Sequence, residues 1–136
     1  MKNKNLSGGL FAAKPTPLTI RETSLSAQIV DYLRDRNLWV ERLNCGRIKT
    51  ENGNWIHLCE RGTPDRITIV HGQTIFIETK TFGKKPTPDQ LKKHVELRQN
   101  GAVVIVADNF NKFVSEFTAI CSQIIKAQSK EIKLYD

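Results

Sequence analysis

Two short stretches of this 136-residue chain hold residue types that can do chemistry together, Gly62-Thr63-Pro64-Asp65 and Ile77-Glu78-Thr79-Lys80. Between them, Ile67-Thr68-Ile69-Val70 and the run from Thr74 to Lys80 are rich in β-branched residues and are joined through His71-Gly72-Gln73, the pattern of a β-hairpin. If His71-Gly72 is a two-residue loop, Val70 pairs with Gln73, and the same register sets Asp65 opposite Glu78. Facing side chains lie about 4.5–5.5 Å apart at Cβ, and like charges there repel. Strand alternation puts Lys80 on the Glu78 face and turns Thr79 to the other. A four-residue loop also keeps the three groups together, whereas a three-residue loop moves Asp65 to the opposite face. Two carboxylates at one spot call for a cation with oxygen ligands, and Mg²⁺ suits one or two carboxylates, waters and a substrate phosphate. It would lower the pKa of a bound water, stabilise charge on a phosphorane-like transition state and orient the scissile phosphate. Lys80 would hold the attacking water or stabilise the developing negative charge. The plainer reading is an exposed strand-end ion pair worth roughly 0–1 kcal/mol. Asp65 behind Gly-Thr-Pro, together with the hairpin register, favours the site.

The elements that must position these groups are legible around them. Residues 1–18 mix Lys, Asn, Ser, Gly and Pro without periodicity and read as a flexible leader, with the folded domain over 19–128 and a polar C-terminal tail over 129–136. Leu25, Ile29 and Leu33 recur at helical spacing from near Thr19, and Asn37 ends that helix. Leu38 to Leu43 alternates as a strand, and Asn44-Cys45-Gly46 turns the chain. Arg47-Ile48-Lys49 and Trp55-Ile56-His57-Leu58 flank Asn52-Gly53, a hairpin signal because both turn residues tolerate positive φ. Thr87-Pro88-Asp89-Gln90 carries helix-start chemistry, and Gly101 is placed to stop the helix that follows. Ala102 to Ala107 is apolar on both faces, as in a strand buried inside a sheet. Phe110, Phe113, Val114, Phe117, Ile120, Cys121 and Ile124 stripe a last helix. The order implies one α/β domain built on a central mixed β-sheet flanked by helices.

Composition narrows the function. Against 14 acidic residues stand 21 Lys and Arg, a formal charge of +7 and a pI near 9.5, which suits a polyanionic partner or simply a solvated basic surface. No apolar run approaches the roughly 20 residues of a membrane span. The N-terminus lacks the apolar stretch of a secretory signal, so a cytoplasmic home is expected. Three cysteines at no paired spacing, Cys45, Cys59 and Cys121, fit a reducing compartment better than a disulfide framework. His57-Leu58-Cys59 with Cys45 matches no common zinc spacing. His71 in a turn and His94 in a helix read as structural. No nucleophile elbow and no phosphate-binding Gly-Lys-Ser/Thr loop is present, which removes support for acyl transfer and P-loop hydrolysis.

Taken together, Gly62-Thr63-Pro64-Asp65, Ile77-Glu78-Thr79-Lys80 and Gly83-Lys84-Lys85-Pro86-Thr87-Pro88-Asp89-Gln90 resemble the signature of the VRR-NUC domain, a branch of the PD-(D/E)XK, restriction-endonuclease-like superfamily. The segment from Glu22 to Leu33 resembles that family's first helix with its leading glutamate. Arg42-Leu43-Asn44-Cys45-Gly46 resembles the segment that follows, and Gly101 to Val106 the last core strand. The resemblance implies an αβββαβ core, Mg²⁺ with Mn²⁺ able to substitute, and hydrolysis of phosphodiester bonds in DNA. By the same resemblance Asp65 and Glu78 are metal ligands, the Thr79 carbonyl is a further one, and Lys80 is the catalytic lysine. Glu22 would reach the metal or its waters, and Gln90 is the glutamine opening the next helix.

Both of these last two have local explanations. Thr19-Ile20-Arg21-Glu22 and Thr87-Pro88-Asp89-Gln90 each fit a capping box. Yet Glu22 also shares the stripe of Leu25, Ile29 and Leu33 and can point inward. Lys84 and Lys85, in the loop beyond the site, and Arg42 and Arg47 are candidates for DNA phosphate contacts, which position a duplex without reading its sequence. Lys92 and Lys93 read as a solvated helix face. Similarity to compact VRR-NUC proteins, some of them dimeric Holliday junction resolvases, extends the expectation to an endonuclease on branched or four-way-junction DNA and to a homodimer. The rival is a catalytically inactive nucleic-acid-binding or assembly module on the same fold.

Overall fold

Apolar residues spaced three or four apart fall on one helix face, and Leu25, Ile29 and Leu33 are all buried on the first helix, α1 (Pro17–Asp35). The computed structural model describes the backbone of residues 17–135 and the side chains of residues 23–134. Residues 1–16 of the expected leader and the side chain of Glu22 lie outside the described residues. Because α1 begins at Pro17, Thr19 stands inside the helix and is not its N-cap, which removes the capping-box explanation for Glu22. The helix ends in a Schellman motif: Asn37 has φ 57°, its N–H donates to the Arg34 carbonyl, and the Leu38 N–H donates to the Leu33 carbonyl. Leu38 is thereby taken into the helix end, so the strand expected from there is shorter.

That strand is β1 (Val40–Arg42), followed by β2 (Arg47–Lys49), β3 (Trp55–His57), β4 (Arg66–Val70), β5 (Gln73–Thr79), α2 (Pro88–Gln99), β6 (Val103–Ala107) and α3 (Phe110–Tyr135). Four strands form one sheet in the order β1-β4-β5-β6; β6 runs parallel to β5 and the other pairs are antiparallel. A parallel neighbour needs a crossover connection, and α2 supplies it. With β2 and β3 set aside as a separate hairpin, the series α1, β1, β4, β5, α2, β6 is the expected αβββαβ core. Gly101, φ 89°, closes α2 with the same motif that ends α1, its N–H reaching the Arg98 carbonyl while Ala102 N–H reaches Leu97.

Of the loop lengths open to the central hairpin, the two-residue one is realised. Val70 pairs with Gln73, and the register runs down to Arg66 opposite Ile77. His71 and Gly72 both have positive φ, 47° and 81°, as a type I′ turn requires. Ile75 and Ile77 point to one face of the sheet, where they meet Ile29 and Leu33 of α1, Ile105 of β6, and Phe113 and Phe117 of α3. Tyr32 stands edge-on to Phe110, Phe113 and Phe117 at 5.8–6.0 Å. The phenylalanine stripe of α3 is therefore used in the chain's own core, while Ile132 and Leu134 near its end are exposed. Phe76 and Glu78 alternate to the other face, under α2. Among the described residues no helix is long and apolar enough to cross a membrane.

Asn-Gly is the favoured pair for this turn, whereas histidine carries a steric cost at positive φ. His71→Asn should raise unfolding stability by about 0.5–1 kcal/mol, and Gly72→Ala should lower it by about 1–3 kcal/mol, as read from urea midpoints.

Candidate active site

β4 and β5 end side by side, and the residues able to do chemistry collect there. Beyond the last pair, Arg66 with Ile77, Asp65 leaves the β4–β5 ladder. Its carbonyl accepts from the Leu43 N–H at 2.7 Å, continuing the pairing with β1. Its carboxylate Oδ2 accepts from the Thr79 N–H at 2.8 Å and from the Thr79 hydroxyl at 2.6 Å. The middle residue of Glu78-Thr79-Lys80 thus holds the aspartate with both backbone and side chain, a role that strand alternation alone does not suggest. Two donors on one oxygen fix the direction of the carboxylate. Asp65 Oδ1 has no hydrogen bond among the described residues.

Glu78 is buried, its side chain 3% exposed. Burying a carboxylate costs several kcal/mol unless polar partners compensate, so its surroundings decide whether it stays charged. Gln90 Nε2 donates to Oε1 at 2.9 Å, and Lys80 Nζ lies 3.8 Å from the same oxygen. Gln90 also completes the helix cap expected from the sequence. Its Oε1 accepts from the Thr87 N–H at 2.9 Å and its own N–H donates to the Thr87 hydroxyl at 3.3 Å, a complete capping box. The amide oxygen closes the helix start and the amide nitrogen reaches the carboxylate.

One turn along α2, His94 is fully buried with Nε2 3.9 Å from Glu78 Oε2. Burial, and then the Arg98 and Lys80 charges, hold its imidazole below the ordinary histidine range. It is therefore neutral at neutral pH, and its approach to Glu78 is a polar contact and not an ion pair. Read from sequence as structural, His94 could have been linked to the site by its spacing of four residues from Gln90, which puts both on one helix face.

Gly62 explains how the loop before Asp65 meets α2. Its φ is 87°, and a Cβ there would lie 2.5 Å from the Asp89 carbonyl oxygen and 2.8 Å from its carbon. Only glycine permits both the backbone conformation and the approach to the first turn of α2. Around it Arg61 pairs with Asp89 at 2.9 Å, and Lys93 pairs with Glu60 and with Glu96. Lys93 is thus engaged in ion pairs rather than forming a freely solvated face.

The expected phosphate contacts separate in space. Lys84 and Lys85 are exposed on the loop between β5 and α2, which is pinned by Gly83 N–H to Asp108 Oδ2 at 3.1 Å. Arg42, on β1, lines a cavity together with Asp65 and Thr79. Arg47 lies on the β2–β3 hairpin, its guanidinium 4.5 Å over the Trp55 ring. Cys45 donates to the Thr63 carbonyl at 3.3 Å, and burial first, then Cys59, Asp65 and Glu78, push its thiol up.

Among the described residues no group of three or more His, Cys, Asp and Glu side chains is gathered as a metal site. Asp65 and Glu78 nevertheless supply two hard oxygen donors of the number Mg²⁺ takes when waters and a substrate phosphate complete its shell. The donor set fits such an ion.

No family model matches the chain. A protein described as "Putative nuclease p44", from Acyrthosiphon pisum secondary endosymbiont phage 1, is 48% identical over 50 residues, which are 36% of this chain and 54% of that protein. The chain thus spans about half the length of this curated relative. A solved structure described as "VRR_NUC domain" matches with a TM-score of 0.55 at 23% sequence identity, covering 72% of this chain and 95% of that one. The mixed four-stranded sheet flanked by helices is the VRR_NUC fold.

Two substitutions separate the roles of the α2 start. Thr87→Ala removes only the cap and should cost about 0.5–2 kcal/mol. Gln90→Ala also strips a buried carboxylate of a donor and should cost about 1–3 kcal/mol more in a denaturant titration. Equal losses would mean that the contact with Glu78 carries no weight.

Proposed function

We propose that this chain is a divalent-metal-dependent deoxyribonuclease of the VRR-NUC kind, hydrolysing phosphodiester bonds as an endonuclease. The observation that carries the proposal is the buried Glu78 carboxylate, held by Gln90 and flanked by Lys80, on the strand whose next residue anchors Asp65. A strand-end ion pair kept for stability would be exposed; a desolvated carboxylate is a liability that a reaction justifies. The description of the phage relative as a nuclease supports the same reading.

Asp65 and Glu78 would hold Mg²⁺ or Mn²⁺, with the Thr79 carbonyl and Glu22 as the remaining protein donors. When bound, the ion supplies a water of lowered pKa and neutralises charge at the scissile phosphate. The chain's own residues do the rest. Thr79 keeps Asp65 aimed, and Gln90 orients Glu78 from the helix start. Lys80 donates to the attacking water or to the phosphate oxygen on which charge develops, in a site dry enough for that donation to count. Lys84 and Lys85 contact flanking phosphates and give salt-sensitive affinity. Selectivity for branched or four-way-junction DNA, cut by a homodimer, is the sharper form of the proposal and is supported by the resemblance to compact VRR-NUC proteins.

The test is cleavage of duplex, single-stranded, flap and four-way-junction DNA with Mg²⁺, Mn²⁺ or a chelator. Wild type should cut only with metal, and Asp65→Ala and Lys80→Ala should each lower kcat/KM by about 10²–10³. A wild type that binds these DNAs but cuts none with either metal is the inactive binding module instead.

A further inference from the structure

A cavity of about 330 Å³ opens between α1 and the ends of β1 and β4, lined by Thr23, Ser26, Arg42, Asp65, Arg66 and Thr79. Its charge is unusual. Arg42 and Arg66 are directly opposite each other across antiparallel β1 and β4, where facing like charges are destabilising. Among the described residues neither guanidinium has a carboxylate within ion-pair distance. Arg66 Nε and Nη2 both donate to the Ser26 hydroxyl, at 3.3 and 3.2 Å. That neutral acceptor orients the guanidinium without offsetting its charge. Asp65 stands beside it in the chain, but its Oδ2 is committed to Thr79.

Two arginines held facing each other, with no carboxylate within ion-pair distance among the described residues, in a cavity that opens onto Asp65, are arranged for an external anion. Guanidinium forks match phosphate oxygens in pairs, which an isolated lysine cannot do. We propose that Arg42, Arg66 and Ser26 form a phosphate subsite that seats a nucleic-acid phosphate next to the one cut at Asp65 and Glu78. The subsite rests on the nuclease reading for its ligand but not on metal or turnover for its binding. Its ligand is either an internal phosphodiester or a terminal 5′-phosphate, which share this chemistry. Arg66 reads from sequence only as the first residue of a strand; its pairing with Arg42 needs the β1–β4 register.

The test is binding of a fluorescently labelled short duplex in chelator, by anisotropy across a salt series. Arg66→Gln and Arg42→Gln should each weaken binding about tenfold and lower the slope of log affinity against log salt by about one. Lys126→Gln, on an exposed stretch of α3 toward the His71-Gly72 end of the hairpin, should leave both near wild type. Arg42 is exposed, so its variant decides the matter if Arg66→Gln does not fold. Equal losses on duplexes with 5′-hydroxyl and 5′-phosphate ends identify an internal phosphodiester; a loss confined to the phosphorylated duplex identifies a terminal one. Unchanged affinity and slope in the folded arginine variants, or an equal loss in Lys126→Gln, overturns the subsite. A wild type that cuts DNA while its arginine variants bind as it does removes the subsite and spares the nuclease. One that never cuts, yet loses affinity in those variants, does the reverse.

Discussion

The Gln90 amide joins two structures that would otherwise be independent. Its oxygen completes the cap of α2, and its nitrogen donates to the buried Glu78 at 2.9 Å. A side chain already ordered by the cap loses little further entropy in holding the carboxylate, so the helix start becomes part of the site. The position of that helix start depends in turn on Gly62, whose missing Cβ lets the loop before Asp65 close against Asp89. Both carboxylates are therefore set by backbone elements: Glu78 through α2, and Asp65 through the Thr79 N–H and hydroxyl on β5. Groups held this way need no reorganisation at the moment of reaction, which is where electrostatic catalysis draws its advantage.

Electrostatically, the chain's net charge of +7 conceals a sharp local contrast. In the proposed reading, the small acidic site would repel DNA until a divalent cation reverses the local field. Exposed Lys84 and Lys85, and the Arg42–Arg66 pair beside Asp65, would in that reading favour the phosphate backbone. Affinity and chemistry then reside in different groups. The proposal thereby assigns salt dependence to the lysines and arginines and the reaction to the carboxylates and Lys80.

Much of this arrangement was legible in the sequence where a local rule had no competitor. Strand period and the two-residue turn set the β4–β5 register down to Arg66 opposite Ile77, one pair short of Asp65, and Gly101 closed α2 as its chemistry demands. The central mixed sheet followed from the alternation of periodicities, and the αβββαβ order from the resemblance to the VRR-NUC signature. The cap expected of Gln90 is present, and the same amide also reaches Glu78, a contact that local rules do not suggest; the α3 phenylalanine stripe packs into the chain's own core. The rest was hidden because it depends on pairings between distant segments. Thr79 reaches Asp65 only because β4 ends at Arg66, His94 meets Glu78 only through the crossover of α2, and Arg66 faces Arg42 only through the β1–β4 register.

The proposed chemistry depends on one cation shared by Asp65 and Glu78. The most direct measurement is anomalous diffraction at the manganese edge from crystals grown with saturating Mn²⁺. The predicted result is a single strong peak bonded to oxygens of both carboxylates at about 2.0–2.6 Å, the range for hard cations. A clear map with ordered Asp65 and Glu78 side chains and no manganese between them would contradict it.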